Sequence, residues 1–233
     1  VQPQSPSHVF APPPVPAVPV MGSSGLFPVR RIYCIGRNFA AHAIEMGHDP
    51  DREPPFFFQK NPDSVLLPGR DLPYPPGTAS LHHEVELVVA LASGGRDIPE
   101  AGALERVFGY AVGLDMTRRD LQAEAKKAAR PWEIGKSFEH SAPVGEIVPA
   151  AVSGHPMRGG IRALVNGSQR QEGDLAQMIW KVPEIIAHLS RYFELAAGDL
   201  IFAGTPAGVG DVRRGDRIRA EVDGLPALEV TVV

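Results

Sequence analysis

Cysteine is close to absent, with Cys34 the only one in 233 residues. That excludes an internal disulfide framework and suits a reducing compartment, so a cytoplasmic protein is expected. Cys34, inside RIYCIG, reads as a small buried hydrophobe. No run of about 18 apolar residues occurs, so neither a transmembrane helix nor a membrane partner is expected. Strong charge of either sign is also missing. A formal net charge of −4 leaves no electrostatic footprint of a nucleic-acid binder. A small acidic ligand would have to be met by locally placed cations. The N-terminus lacks the basic stretch and uninterrupted apolar stretch of a secretory signal. There is no internal repeat, and no Rossmann glycine fingerprint opens a helix.

Proline is plentiful, 24 in all with eight of them in the first 28 residues. Residues 1–26 are therefore expected to form an extended, polyproline-like segment ahead of a catalytic domain spanning 27–233. Within that domain RRIYCIG, PPFFFQK, LHHEVELVVAL and VFGYAVGLDM read as strands. NFAAHAIEMG reads as a short helix with Asn38 as N-cap and Gly47 as its stop. TRRDLQAEAKKAA reads as a helix opened by Thr117 with Asp120 three residues on, a capping-box pattern. GIRALVNGSQRQEG is a hairpin turning at Asn166-Gly167. PEIIAHLSRYFE, residues 183–194, is an amphipathic helix begun by Pro183. DLIFAG, DRIRAEV and ALEVTVV are strands again, the last two joined across Asp223-Gly224. Many strands, few helices and no regular βαβ alternation predict an α+β fold, a mixed β-sandwich roll with short peripheral helices.

One stretch raises a chemical question. In LHHEVELVVAL, period two puts Leu81, His83, Val85, Leu87, Val89 and Leu91 on one face and Glu84 and Glu86 together on the other. Two carboxylates side by side on an apolar strand repel, and burying them unpaired costs several kcal/mol. Asp115 offers a third carboxylate where an apolar run gives way to a helix. Three acidic oxygen ligands without cysteine suit a hard divalent ion, Mg²⁺ or Mn²⁺ ahead of Ca²⁺. A non-catalytic β-module binding Ca²⁺ for structural purposes is the plainest alternative. His42 and Glu45, three apart on one face of the short helix, can form a base pair in which the carboxylate raises the basicity of the imidazole. Arg119 and Gln122, one turn apart after Asp115, can project together toward bound oxygens. GTPAGVG lacks the Gly-Lys-Ser/Thr ending of a phosphate loop, so nucleotide binding is not expected.

GRNFAAHAIEMG, LHHEVELVV, GLDMTRRDLQ, PWEIGKSF, NGSQRQEG and GDLIFAGTPAGVG stand in the order found in the fumarylacetoacetate hydrolase family, and from about residue 29 onward the chain resembles it. The resemblance implies a homodimer whose subunits hold one Mg²⁺ or Mn²⁺ through Glu84, Glu86 and Asp115. It implies a substrate that is a small anionic keto acid and, among the members most alike, cleavage of a C–C bond in acylpyruvates, fumarylpyruvate going to fumarate and pyruvate in aromatic-compound degradation. His42 with Glu45 would take a proton from water, and Lys136 in IGKSF would stabilise negative charge on the substrate. Lys60 and Thr205 are the implied substrate contacts, beside Arg119 and Gln122, and a substrate with two carboxylates would also draw on Arg37. The chain departs from its relatives in placing Asn61 between Lys60 and the following proline. His82 and His83 are read as supporting or packing residues, because the family's ligands are carboxylates. Oxaloacetate decarboxylation and isomerisation or decarboxylation of a hydroxymuconate-type acid are alternative reactions on the same metal site.

Overall fold

A computed structural model describes residues 8–40 and 54–233. His42 and Glu45 of the expected short helix lie outside those residues.

The molecule is organised around a six-stranded mixed sheet. Its order is Val148–Pro149, Val107–Leu114, Val85–Leu91, Asp199–Phe202, Arg31–Gly36 and Phe56–Lys60. All its pairings are antiparallel except that of Asp199–Phe202 with Arg31–Gly36. A four-stranded antiparallel sheet, Ser168–Asp174, Gly160–Val165, Arg217–Val222 and Leu228–Thr231, packs against one face. A three-stranded sheet, Gly210–Val212, Leu81–His83 and Thr117–Arg118, lies at the end where the chain passes between the two.

Alternation along the strands explains why both faces are filled. Val85, Leu87 and Val89 share a core with Ile161, Ala163, Ile218, Ala220 and Val230 of the second sheet and with Ile185, Ile186 and Leu189 of the helix Val182–Ser190. Val88 and Ala90 point the other way, into a second cluster with Ile32, Cys34, Leu200 and Phe202. That second face is closed by the proline-rich N-terminal region. Ala17–Pro19 pairs antiparallel with Leu26–Pro28, and Val18, Val20, Phe27 and Val29 complete the cluster. Main-chain bonds from Ile147 N–H to the Pro19 carbonyl and from Met21 N–H to the Ile147 carbonyl fix the hairpin in place. Proline suits it because the segment makes so few ladder bonds. Each such apolar side chain taken out of water contributes about 1.5–3 kcal/mol.

Two local expectations are corrected. LHHEVELVVAL is two strands, Leu81–His83 and Val85–Leu91, broken at Glu84 and belonging to different sheets. The second of them is buried on both faces. The helix expected from Thr117 starts at Arg119 and runs to Lys127. Thr117 is drawn away from capping because it pairs with His82 in the small sheet and its hydroxyl serves Lys136 and the Asp115 carbonyl. Asp120 is spent on Thr78 and on the Ala79 N–H. The hairpin turns at Asn166 and Gly167, with φ 51° and 78°. Two consecutive positive φ values are the signature of the tight turn that Asn-Gly favours.

The helix Arg119–Lys127 is held against the short helix Glu133–Lys136 by a close approach at Gly135. A Cβ there would lie 2.9 Å from Gln122 Cβ. Gly135→Ala is expected to cost about 2 kcal/mol of stability by overpacking, read as a lowered urea midpoint at unchanged slope.

Candidate metal centre and active site

Strand register brings three carboxylates together. Glu84 occupies the break between two strands, and Glu86 follows within Val85–Leu91. Asp115 comes immediately after Leu114, the residue paired with Val85. The Asp115 N–H donates to the Glu84 carbonyl at 2.8 Å. Glu84, Glu86 and Asp115 are all buried, and each offers an oxygen within 4.8 Å of the others.

Cations surround this trio. Lys136, 2% exposed, donates from Nζ to Glu84 Oε2, Asp115 Oδ2 and Thr117 Oγ1, each at 2.7 Å. Burial works against the ammonium, but the Asp115 and Glu84 charges outweigh it and hold its pKa above the ordinary lysine value. Lys60 Nζ lies 2.8 Å from Asp115 Oδ1 and donates to the carbonyls of Met116 and Lys136. Arg119 forms an ion pair with Glu84, donates to Gln122 Oε1 at 2.7 Å and reaches His82 Nδ1 at 3.3 Å. Among the described residues three cations thus meet two of the three carboxylates, Glu84 and Asp115.

Glu86 is held differently. Its carboxylate meets the Gly204 N–H, which donates to Oε2 at 2.7 Å. Burial first, then the charges of Asp115 and Glu84, push its carboxyl well above the usual carboxylate range. Among the described residues Asp115 Oδ1, although close to Lys60, accepts no properly directed hydrogen bond. A buried oxygen without a hydrogen-bond partner inside an all-oxygen set is what a hard divalent ion would satisfy. The residues fit Mg²⁺ or Mn²⁺.

Around the trio, one cavity is lined by Arg37, Arg119, Gln122, Lys136 and Thr205 of the expected contacts. Arg37 has a positive φ of 59° and stacks its guanidinium over Phe56 at 5.6 Å. Such backbone strain is retained where the surroundings over-determine a side chain's position. Lys60 is placed elsewhere than the sequence suggested. Buried and turned onto Asp115 and two carbonyls, it braces that carboxylate and lies outside the cavity lining. His83 is packed in the interior with Nδ1 2.8 Å from Gln171 Oε1, and His82 meets Arg119. His42 and Glu45 are outside the described residues.

Two features escaped the sequence reading. Lys126, one turn beyond Gln122, lines the same cavity beside Trp132, whose ring it approaches at 5.8 Å. Helical spacing from Gln122 was the available signal. Gln171, buried between His83 and Thr205, had none, because it sits in a hairpin that is otherwise polar.

The family model described as fumarylacetoacetate (FAA) hydrolase, C-terminal, matches residues 31–233. A fumarylpyruvate hydrolase of Ralstonia sp is 44% identical over 190 residues, covering 80% of this chain and 98% of that protein. An oxaloacetate tautomerase of Escherichia coli (strain K12) is 40% identical over 200 residues, covering 85% of this chain and 90% of its own length. Among solved structures, that of fumarylpyruvate hydrolase from Pseudomonas aeruginosa in complex with Mn²⁺ and pyruvate matches with a TM-score of 0.95 at 53% identity, covering 97% of this chain and 99% of that one.

Proposed function

The chain belongs to the fumarylacetoacetate hydrolase family, and from that premise we propose that it is a Mg²⁺- or Mn²⁺-dependent hydrolase of acylpyruvates, with fumarylpyruvate as substrate and fumarate and pyruvate as products. The observation that carries the reading is the composition of the cavity wall. Arg37 and Lys126 line the same wall as the trio, beside Phe58 and Trp132. Burial first, then the Arg37 and Arg119 charges, pull Lys126 below the ordinary lysine value. Like charges gathered beside aromatic faces suit a slim, unsaturated substrate that is anionic at both ends.

A divalent ion held by Glu84, Glu86 and Asp115 would supply Lewis acidity at the keto-acid end, where C–C cleavage leaves enolate charge. Lys136 adds fixed positive charge beside that position. The Gln122 carbonyl is occupied by Arg119, so its amide N–H groups are left to donate to substrate. His42, its basicity raised by Glu45, takes a proton from water. The resulting hydroxide attacks the acyl carbonyl, the C–C bond breaks with its electrons passing to the pyruvate enolate, and protonation of that enolate gives pyruvate as fumarate departs.

A second reading, oxaloacetate tautomerisation, is favoured by the Escherichia coli relative and needs proton transfer without water. The loss of ultraviolet absorbance on fumarylpyruvate, acetylpyruvate and oxaloacetate, with and without chelator, separates the two. The hydrolase reading expects chelator-sensitive release of one pyruvate per fumarylpyruvate. It also expects His42→Ala to lower turnover about 100-fold with Mn²⁺ affinity retained. Tautomer exchange of oxaloacetate without cleavage of either acylpyruvate would replace it by the second reading.

A further inference from the structure

We propose that Gln171 is a positioning residue that fixes the direction of the Thr205 hydroxyl proton, making Thr205 a hydrogen-bond donor into the cavity. The inference rests on the reading of that cavity as a keto-acid site.

Donors and acceptors around the amide decide its orientation. Gln171 is fully buried, with 0% exposure. Its Oε1 accepts from the Val85 N–H at 3.0 Å and faces His83 Nδ1 at 2.8 Å. Its Nε2 donates to the Pro206 carbonyl at 2.9 Å and to Thr205 Oγ1 at 2.8 Å. The Val85 N–H can only donate and the Pro206 carbonyl can only accept. Turning the amide over would set two donors face to face at one end and two acceptors at the other. The amide is therefore oriented by backbone.

Two consequences follow from that orientation. His83 must carry its proton on Nδ1, because it faces a carbonyl oxygen; among the described residues Nε2 has no hydrogen-bond partner. Thr205 must receive the Gln171 N–H on its oxygen, so its own proton is free to point elsewhere. Among the described residues the Thr205 hydroxyl makes no other hydrogen bond, whereas Thr205 does line the cavity that holds the three carboxylates. A hydroxyl that accepts through one lone pair and whose proton meets no other acceptor is presented as a donor, the polarity needed opposite a carboxylate or keto oxygen. The arrangement is built before ligand arrives, so no reorientation is required on binding.

A β-bulge makes it possible. In the hairpin, Leu164 pairs with Gln169 and Ala163 with Gln171, with Arg170 as the extra residue. Without the bulge Gln169 and Gln171 would share a face. With it Gln169 is exposed and Gln171 is turned into the core.

The test is a double-mutant cycle of Gln171→Met and Thr205→Val, read as the affinity of the Mn²⁺-loaded protein for pyruvate by calorimetry and as kcat/KM on fumarylpyruvate. Each single change is expected to weaken pyruvate binding about 10-fold, the size of one hydrogen bond to a charged group. The double variant should lose no more than Thr205→Val alone, although its melting temperature is lower. Losses that multiply would show Gln171 to be merely structural and overturn the inference, as would unchanged pyruvate affinity in Gln171→Met. If Gln171→Met does not fold, Gln171→Glu retains the Val85 and His83 contacts but turns the Thr205 proton toward itself. It must weaken pyruvate binding more in the Thr205 background than in the Val background, and equal weakening in both overturns the inference. Because pyruvate binding is read apart from turnover, a protein that binds pyruvate but cleaves no acylpyruvate would defeat the proposed reaction while leaving this cycle decisive.

Discussion

Glu86→Gln is expected to weaken Mn²⁺ or Mg²⁺ binding about 100-fold or more, and to abolish turnover with it, while leaving the metal-free protein as stable as the wild type or more so. The two halves of the prediction have one cause. Glu86 is a buried carboxyl whose ionised form is opposed by burial and by Asp115 and Glu84. Glutamine keeps an oxygen for the Gly204 N–H and removes the charge, so the apo fold is relieved of a cost. The same change takes one negative charge from a three-carboxylate set already facing Lys60, Lys136 and Arg119. The cations then outnumber the carboxylates, and a divalent ion meets net repulsion. Calorimetric titration with Mn²⁺ beside thermal melts of the metal-free protein checks both halves. Wild-type affinity in the variant would show that these residues are not the ligands.

Lys136→Met should produce the opposite division, a metal-free protein destabilised by about 3–5 kcal/mol that recovers much of the loss when Mn²⁺ is added. The ammonium is enclosed and contacts Glu84, Asp115 and Thr117. Methionine matches its length but leaves two buried carboxylate oxygens without their donor. A divalent ion that satisfies those oxygens replaces the lost charge, so the gain in melting temperature on adding Mn²⁺ should exceed that of the wild type. Turnover is expected to stay low even when the ion is bound, because the fixed charge beside the developing enolate is gone. A variant as stable as the wild type without metal would mean that the two carboxylates are already neutralised by other means.

The metal centre was legible from the residues because acidic side chains on an otherwise apolar strand repel one another unless a cation sits between them, and because the strand–turn–helix at Asp115 is a local pattern. The N-terminal region was only half legible. Its prolines indicated extended chain, but the place of Val18, Val20, Phe27 and Val29 in the second cluster depends on a sheet face assembled from residues far away. The break at Glu84 was hidden for a similar reason. Period two continues through it, and only the pairing of Leu81–His83 with Gly210–Val212 and Thr117–Arg118 shows that the chain changes sheets. Lys60 was placed on the cavity wall by likeness to relatives. Its actual position behind Asp115 is set by the carbonyls of Met116 and Lys136, which no spacing along the chain reveals. Gln171 was the least visible of all, since one inserted residue in a polar hairpin decides which glutamine is buried.

The change of sheet at Glu84 has a thermal consequence. Glu84 sits at the seam between two sheets, Glu86 lies within the larger one, and Asp115 is tied by its N–H to the Glu84 carbonyl. An ion shared by these three would act as a rivet through the seam rather than as a passenger on one strand. Neither sheet can peel away without tearing it out. Release of the ion and loss of the fold should therefore be one event on heating, with the melting temperature climbing with the logarithm of free Mn²⁺ once the site is saturated.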